Sequence, residues 1–226
     1  MSFQEQLYKV LIEGNSYRTI LSGLLVTLEI TGFSLLFGTL LGGVVCFLRT
    51  RKNKVVSTIA SVYIAILRGT PVLMLLLLLY YGVFARAGFA PVVVAIMTFS
   101  LNLSAHVAEL LRASAQAVDI GQVEAARTLG FGRRDAFHLV ALPQILTIAK
   151  PVYQSLIVNL IQWTSVVGYI SITDLTRVIN NTAARTMQPF LTITIGMLLY
   201  LGLSYLVYGI FACTNLKKKG ARHGTD

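Results

Sequence analysis

The sequence predicts an all-α membrane protein with about five transmembrane helices, its N-terminus outside and its C-terminus cytoplasmic. Three observations predict it. Of the 226 residues, 55% are hydrophobic and only 12% charged. Five runs approach or exceed the roughly 20 apolar residues that cross a bilayer. Lys and Arg crowd into alternate connections between those runs. A soluble domain carries roughly 25% charged residues, so this chain cannot cover a water-facing surface. Mean hydropathy of +0.72 also excludes disorder.

Residues 1–18 form a polar segment with Glu5, Lys9, Glu13 and Arg18, expected outside. The first span, 19–48, has no Lys or Arg and a single acid, Glu29. It is too long for a signal-peptide core and is read as a retained helix. The second span, 57–85, is interrupted by Arg68 and by Pro71. The third, 91–111, stays apolar until Glu109. The fourth and fifth, 151–172 and 190–214, hold no charge. Residues 213–226 close the chain as a basic cytoplasmic tail.

Direction follows from the basic residues. Thirteen fall on one face: Arg49, Arg51, Lys52 and Lys54; Arg112, Arg127, Arg133, Arg134 and Lys150; Lys217, Lys218, Lys219 and Arg222. Five fall on the other: Lys9, Arg18, Arg86, Arg177 and Arg185. The rich face is the cytoplasmic one. The net charge of +10 is therefore a topology signal, and nucleic acid is not an expected partner. Membrane lipid is. Cys46 and Cys213 lie in apolar runs far apart, which suits neither a disulfide framework nor a four-ligand metal site.

The cytoplasmic connection 113–150 is the longest hydrophilic stretch, yet its composition is helical. Gln122–Leu129 reads QVEAARTL, rich in helix formers, and Gly130 follows where a helix-terminating glycine belongs. Arg133–Leu142 reads RRDAFHLVAL, a second short helix expected to stop at Pro143. Two short helices about a glycine turn make a compact knob. Ala125 and Ala126 keep one side of it small, so another protein's surface can approach closely.

The spacing of Glu124, Ala125, Ala126, Gly130, Val140, Leu142 and Pro143 resembles the EAA signature of binding-protein-dependent ABC importer permeases, with Val140 where Ile is usual. The resemblance runs over about 19–212. Arg68-Gly69-Thr70-Pro71 resembles the R-G-T-P of the polar amino-acid subfamily. Leu101-Asn102 with Glu109, Leu110 and Arg112 is similar to its third-span segment, with His106 in place of Tyr. Thr164–Ile170 and Asp174–Arg177 are similar to its fourth span and outer loop. Gln162 and Trp163 replace the Lys and the acidic or polar residue frequent there.

The resemblance implies a type I ABC importer permease fold in the bacterial inner membrane and import of a polar amino acid. It implies three partners: a cytoplasmic ABC ATPase dimer, a second permease subunit (identical or related) and an extracytoplasmic solute-binding protein. Glu124, Ala125, Ala126, Gly130, Arg133 and Pro143 would couple to the ATPase. No G-x-x-x-x-G-K-[ST] loop occurs in the chain, so ATP and Mg are expected at the partner, with no cofactor bound here.

Polar groups inside apolar spans are candidates for the substrate pathway. Glu29 faces a substrate ammonium group, the outer headgroups or Arg18. Arg68 caps the Pro71 bend, snorkels or binds a carboxylate. Asn102, His106 and Glu109 share one helical face that Arg112 continues; that face holds an internal Glu109–Arg112 pair or lines the pathway. Gln162, Thr164 and Ser165 satisfy helix contacts or line the pathway, and Trp163 packs or forms a lid. Residues 173–189 read as an amphipathic outer helix. His138 and His223 have no metal-site partners in sequence. A channel or structural subunit without ATP coupling would share the five helices. A membrane-embedded enzyme would need clustered acids and histidines, and the three His and nine acids here are scattered.

Overall fold

The computed structural model describes residues 3–220, and among these all regular structure is helical. The elements are α1 (Phe3–Leu11), α2 (Ser16–Arg49), α3 (Lys54–Gly69), α4 (Val72–Leu77), α5 (Pro91–Gln116), α6 (Ile120–Thr128), α7 (Arg133–Asp135), α8 (Leu142–Trp163), α9 (Leu175–Thr186) and α10 (Pro189–Gly220). Arg222 and His223 of the basic tail lie outside the described residues.

Three of the expected spans are single helices: α2, α5 and the apolar part of α10, Pro189–Cys213. The second and fourth are broken. α3 stops at Gly69, Thr70 is extended at φ −100° and ψ 131°, and α4 begins after Pro71. A proline returns no N–H and forces its predecessor out of the helical region, which is why the run 57–85 is not one helix. A π-helical turn, Leu78–Val83, follows.

The fourth span corrects two expectations. Pro143 does not stop a helix. A π-helical turn, Ala136–Ala141, links α7 to α8, and Pro143 is the second residue of α8. The Leu142 N–H reaches back five residues to the Phe137 carbonyl. This wider turn makes room for a residue that donates nothing. The helix also ends early, at Trp163, and Thr164–Ile170 continues as a 3₁₀ helix. Seven residues is long for that tighter coil, whose hydrogen bonds are poorer. It ends at Ser171, whose φ of 66° is left-handed. The amphipathic helix expected outside is α9, with Leu175, Val178, Ile179, Thr182, Ala183 and Thr186 buried along one side.

The chain forms two compact units. One comprises residues up to 34, 72–99 and from 157 onward; the other comprises 35–71 and 100–156. In the first, Ile20 packs with Leu175, Val178 and Ile179 beneath Leu24, Leu199 and Tyr200. A Cβ at Gly23 would sit 2.9 Å from the Asp174 carbonyl oxygen, so that glycine permits the close approach of α2 to the start of α9. In the second, Gly42 does the same for α5: a Cβ there would fall 2.6 Å from the Val107 Cβ. Tyr63 of α3 shares a 2.7 Å hydrogen bond with Ser104 of α5. Of the three single-helix spans α5 is the most enclosed, its apolar window 61% buried, whereas that of α10 is 11% buried. Exposed Leu, Ile, Phe and Tyr along α2 and α10 give those helices an apolar outer surface, suited to lipid.

Candidate functional site

The knob is built as its sequence requires. Asp119 caps α6, its Oδ1 accepting the Gly121 N–H at 2.9 Å. The helix then ends in a paired reverse bond: Phe131 N–H to the Ala126 carbonyl at 3.2 Å and Gly130 N–H to the Arg127 carbonyl at 3.1 Å. This Schellman closure needs a left-handed residue between the two helices. Gly130, at φ +92°, supplies it. α6 packs against the π-helical turn, with Ala126, Ala136 and Ala141 buried. Gln144 donates to Gln122 at 2.8 Å and ties α8 back to α6.

Of the expected coupling residues, Glu124, Ala125, Gly130, Arg133 and Pro143 are exposed, and Ala126 is not. Ala126 serves the close packing inside the knob, so only Ala125 keeps the outer side small. Around Glu124 the knob displays Ile120, Leu129, Phe131, Phe137 and Leu139, between 42% and 79% exposed. The apolar residues follow no single helical period, so their shared exposure could not be read from the sequence.

A second group lies where α3, α5 and α8 line a cavity of about 430 Å³ containing Arg68, His106, Glu109, Ser114, Val152 and Leu156. Glu109 organises it. Arg112 donates to both carboxylate oxygens, at 2.6 and 3.1 Å. Arg49 donates to Oε2, and Arg68 stands 3.9 Å from Oε1. The expected Glu109–Arg112 pair is present, enlarged by two arginines from other helices. Asn102 does not join it. Its Nδ2 donates at 2.9 Å to the Leu67 carbonyl, the group that the proline four residues later cannot serve. Asn102, not Arg68, caps the bend.

A third group gathers Ser165, Gly168, Tyr169, Thr176, Arg177, Asn180 and Asn181 around about 490 Å³. Arg177 donates to the Gly168 carbonyl, holding α9 to the 3₁₀ segment. Asp174 caps α9, accepting from the N–H groups of Thr176 and Arg177 at 3.0 and 3.1 Å. Burial pushes its carboxyl above the ordinary aspartate range, and those two donors pull the other way. Of the fourth-span candidates only Ser165 lines this cavity. Thr164 is buried and donates to the Ile161 carbonyl at 2.7 Å, while Gln162 is exposed and Trp163 half-buried. Glu29 is exposed on α2, and Arg18 bonds Tyr17 instead. Arg177, Asn180 and Arg49 were missed because their roles depend on which helices meet. Among the described residues, no three His, Cys, Asp or Glu side chains are placed to hold a metal ion.

The sequence profile of binding-protein-dependent transport system inner membrane components matches residues 34–213. The nopaline transport system permease protein NocM of Agrobacterium fabrum is 30% identical over 203 residues, 85% of this chain and 84% of that protein. The L-cystine transport system permease protein TcyL of Bacillus subtilis is 33% identical, covering 76% and 75%. The histidine/lysine/arginine/ornithine permease HisM of Salmonella typhimurium is 28% identical, covering 92% of each chain. Among solved structures, an amino acid ABC transporter crystallised with histidines superposes with a TM-score of 0.83 at 27% identity, over 96% of this chain and 99% of that one. An inward-facing MetNI methionine ABC transporter shares the fold, with a TM-score of 0.75 at 19% identity over 90% and 97%.

Proposed function

We propose a function on one premise: the chain belongs to the family of binding-protein-dependent transport system inner membrane components. It is a multi-pass inner-membrane transport subunit and not an enzyme; ATP hydrolysis belongs to a separate ATPase. The permeases it resembles serve amino acids and related compounds, which supports import of a polar amino acid here.

The observation that carries the mechanism is the exposed knob. Glu124 and Arg133 lie on a rigid two-helix elbow rimmed by exposed apolar side chains. That is the chemistry of a surface meant to be covered, since charge gives register and apolar area gives affinity. The covering partner is the ATPase dimer, which holds ATP and Mg. Closure of the ATPase on ATP moves the knob, and α8 carries that motion into the membrane because α7, the π turn and α8 are continuous. A second permease subunit, identical or related, completes the pathway, because five spans enclose too little by themselves. The extracytoplasmic binding protein delivers substrate at the α9 face. Its loaded form must favour the state that fires the ATPase, otherwise substrate would not control ATP use. Glu29, Arg68, His106, Glu109, Gln162 and Ser165 are the pathway candidates of this reading; Asn102 and Thr164 support the helices behind it.

Affinity purification in mild detergent, with mass spectrometry of everything retained, tests it. The wild-type chain is expected to retain a phosphate-loop ATPase, and Glu124→Arg to lose it while staying in the membrane. Retention by neither protein would overturn the coupling and favour a channel or scaffold subunit.

A further inference from the structure

Glu109 treats its three arginines unequally. Arg112 grips it at two points and Arg49 at one, both with side chains about one-quarter exposed. Arg68 is 43% exposed and sits at 3.9 Å, beyond hydrogen-bond length. Arg68 is also released from the duty that its place before Pro71 suggests, because Asn102 already serves the Leu67 carbonyl. Its guanidinium therefore lines the cavity with most of its donors uncommitted among the described residues.

The cavity has the form of a small-ligand site. Its volume of about 430 Å³ lies in the roughly 300–1,000 Å³ range of such pockets, and a few polar groups face mostly apolar walls. A fork of N–H donors matches a carboxylate in two-point geometry, which a lysine does not. Departure of Arg68 costs Glu109 little, because Arg112 and Arg49 still satisfy both oxygens and a long, exposed ion pair is weak.

We propose that Arg68 receives the carboxylate of the passing substrate, exchanging its loose pair with Glu109 for a two-point one. Arg68 is then the group by which the permease itself requires an acid function, whatever the side chain. This rests on the amino-acid import reading above.

The test uses the permease–ATPase complex in lipid nanodiscs without the binding protein, so that the permease's own preference is read. Thermal shift and equilibrium binding are measured with L-histidine, L-glutamine and L-cystine, and with the amide of each. Wild type is expected to bind at least one free acid ten-fold or more tighter than its amide. Arg68→Gln is expected to bring the two within two-fold, and Arg68→Lys to keep only part of the difference. Co-purified ATPase shows that each variant remains assembled. An intact wild-type complex that binds none of the three acids, or does not discriminate, overturns the assignment alone, as does an Arg68→Gln complex with full discrimination. A wild-type preparation lacking an ATPase overturns the transport reading and the assignment with it.

Discussion

At Asn102 a single amide nitrogen closes the break in the second span. Pro71 leaves the Leu67 carbonyl without its helical donor, and Asn102, itself 2% exposed, supplies one from α5. In Asn102→Leu the carbonyl loses that donor while remaining walled in. An unsatisfied buried group costs about 1–3 kcal/mol, so the detergent-solubilised variant is expected to melt at lower temperature, with Asn102→Asp no better because a carboxylate cannot donate. A melting temperature equal to wild type in Asn102→Leu would show the bend needs no cap. The break was legible in the sequence, because proline chemistry is local. Its cap was not: of the three readings open for Arg68, capping falls to Asn102 instead, because the donor comes from a helix 35 positions away. Glu109 teaches the same lesson. Arg112, three residues on, could be paired from helical spacing, whereas Arg49 is 60 positions away.

The elements show where local rules suffice and where they give way. The end of α6 was readable: helix formers, then a glycine, gave the Schellman turn found at Phe131 and Gly130. A side chain at Gly130 meets no neighbour, since nothing lies within 4 Å of its Cβ position, but it must adopt φ +92°. Left-handed backbone costs roughly 1–2 kcal/mol for a residue with a Cβ. Gly130→Trp is therefore expected to stay in the membrane with a displaced or bulky elbow, and to lose most ATP-driven uptake in cells. Uptake at wild-type level would sink the docking role of the knob. Pro143 is the failed rule. Proline as a stop assumes a four-residue hydrogen-bond register, and the π turn at Ala136–Ala141 changes that register before Pro143 is reached. The fourth span misled in a similar way. Its apolar run gives no cue that Thr164–Ile170 will tighten into a 3₁₀ helix, since hydropathy records burial and not pitch.

At the scale of the whole chain, the count of five spans stands if each broken pair is one crossing, and three if only unbroken helices are counted. Hydropathy sees thickness, so it finds the crossings; it is blind to the breaks beside Arg68 and Ser165, which each line a cavity. The charge bias then orients all five at once, because each crossing reverses the side of the next connection. Thirteen basic residues against five predict that the knob is cytoplasmic and α9 outside. This is testable with a chain in which Cys46 and Cys213 are replaced by Ala. Asn181→Cys on α9 and Thr128→Cys on the knob, both exposed, are treated with a membrane-impermeant maleimide in right-side-out vesicles. Asn181→Cys is expected to label at once, and Thr128→Cys only after the membrane is opened. The opposite pattern would put the knob on the side without ATP. It would leave the exposed apolar rim around Glu124 with no ATPase to meet, and the coupling mechanism would fall with the topology.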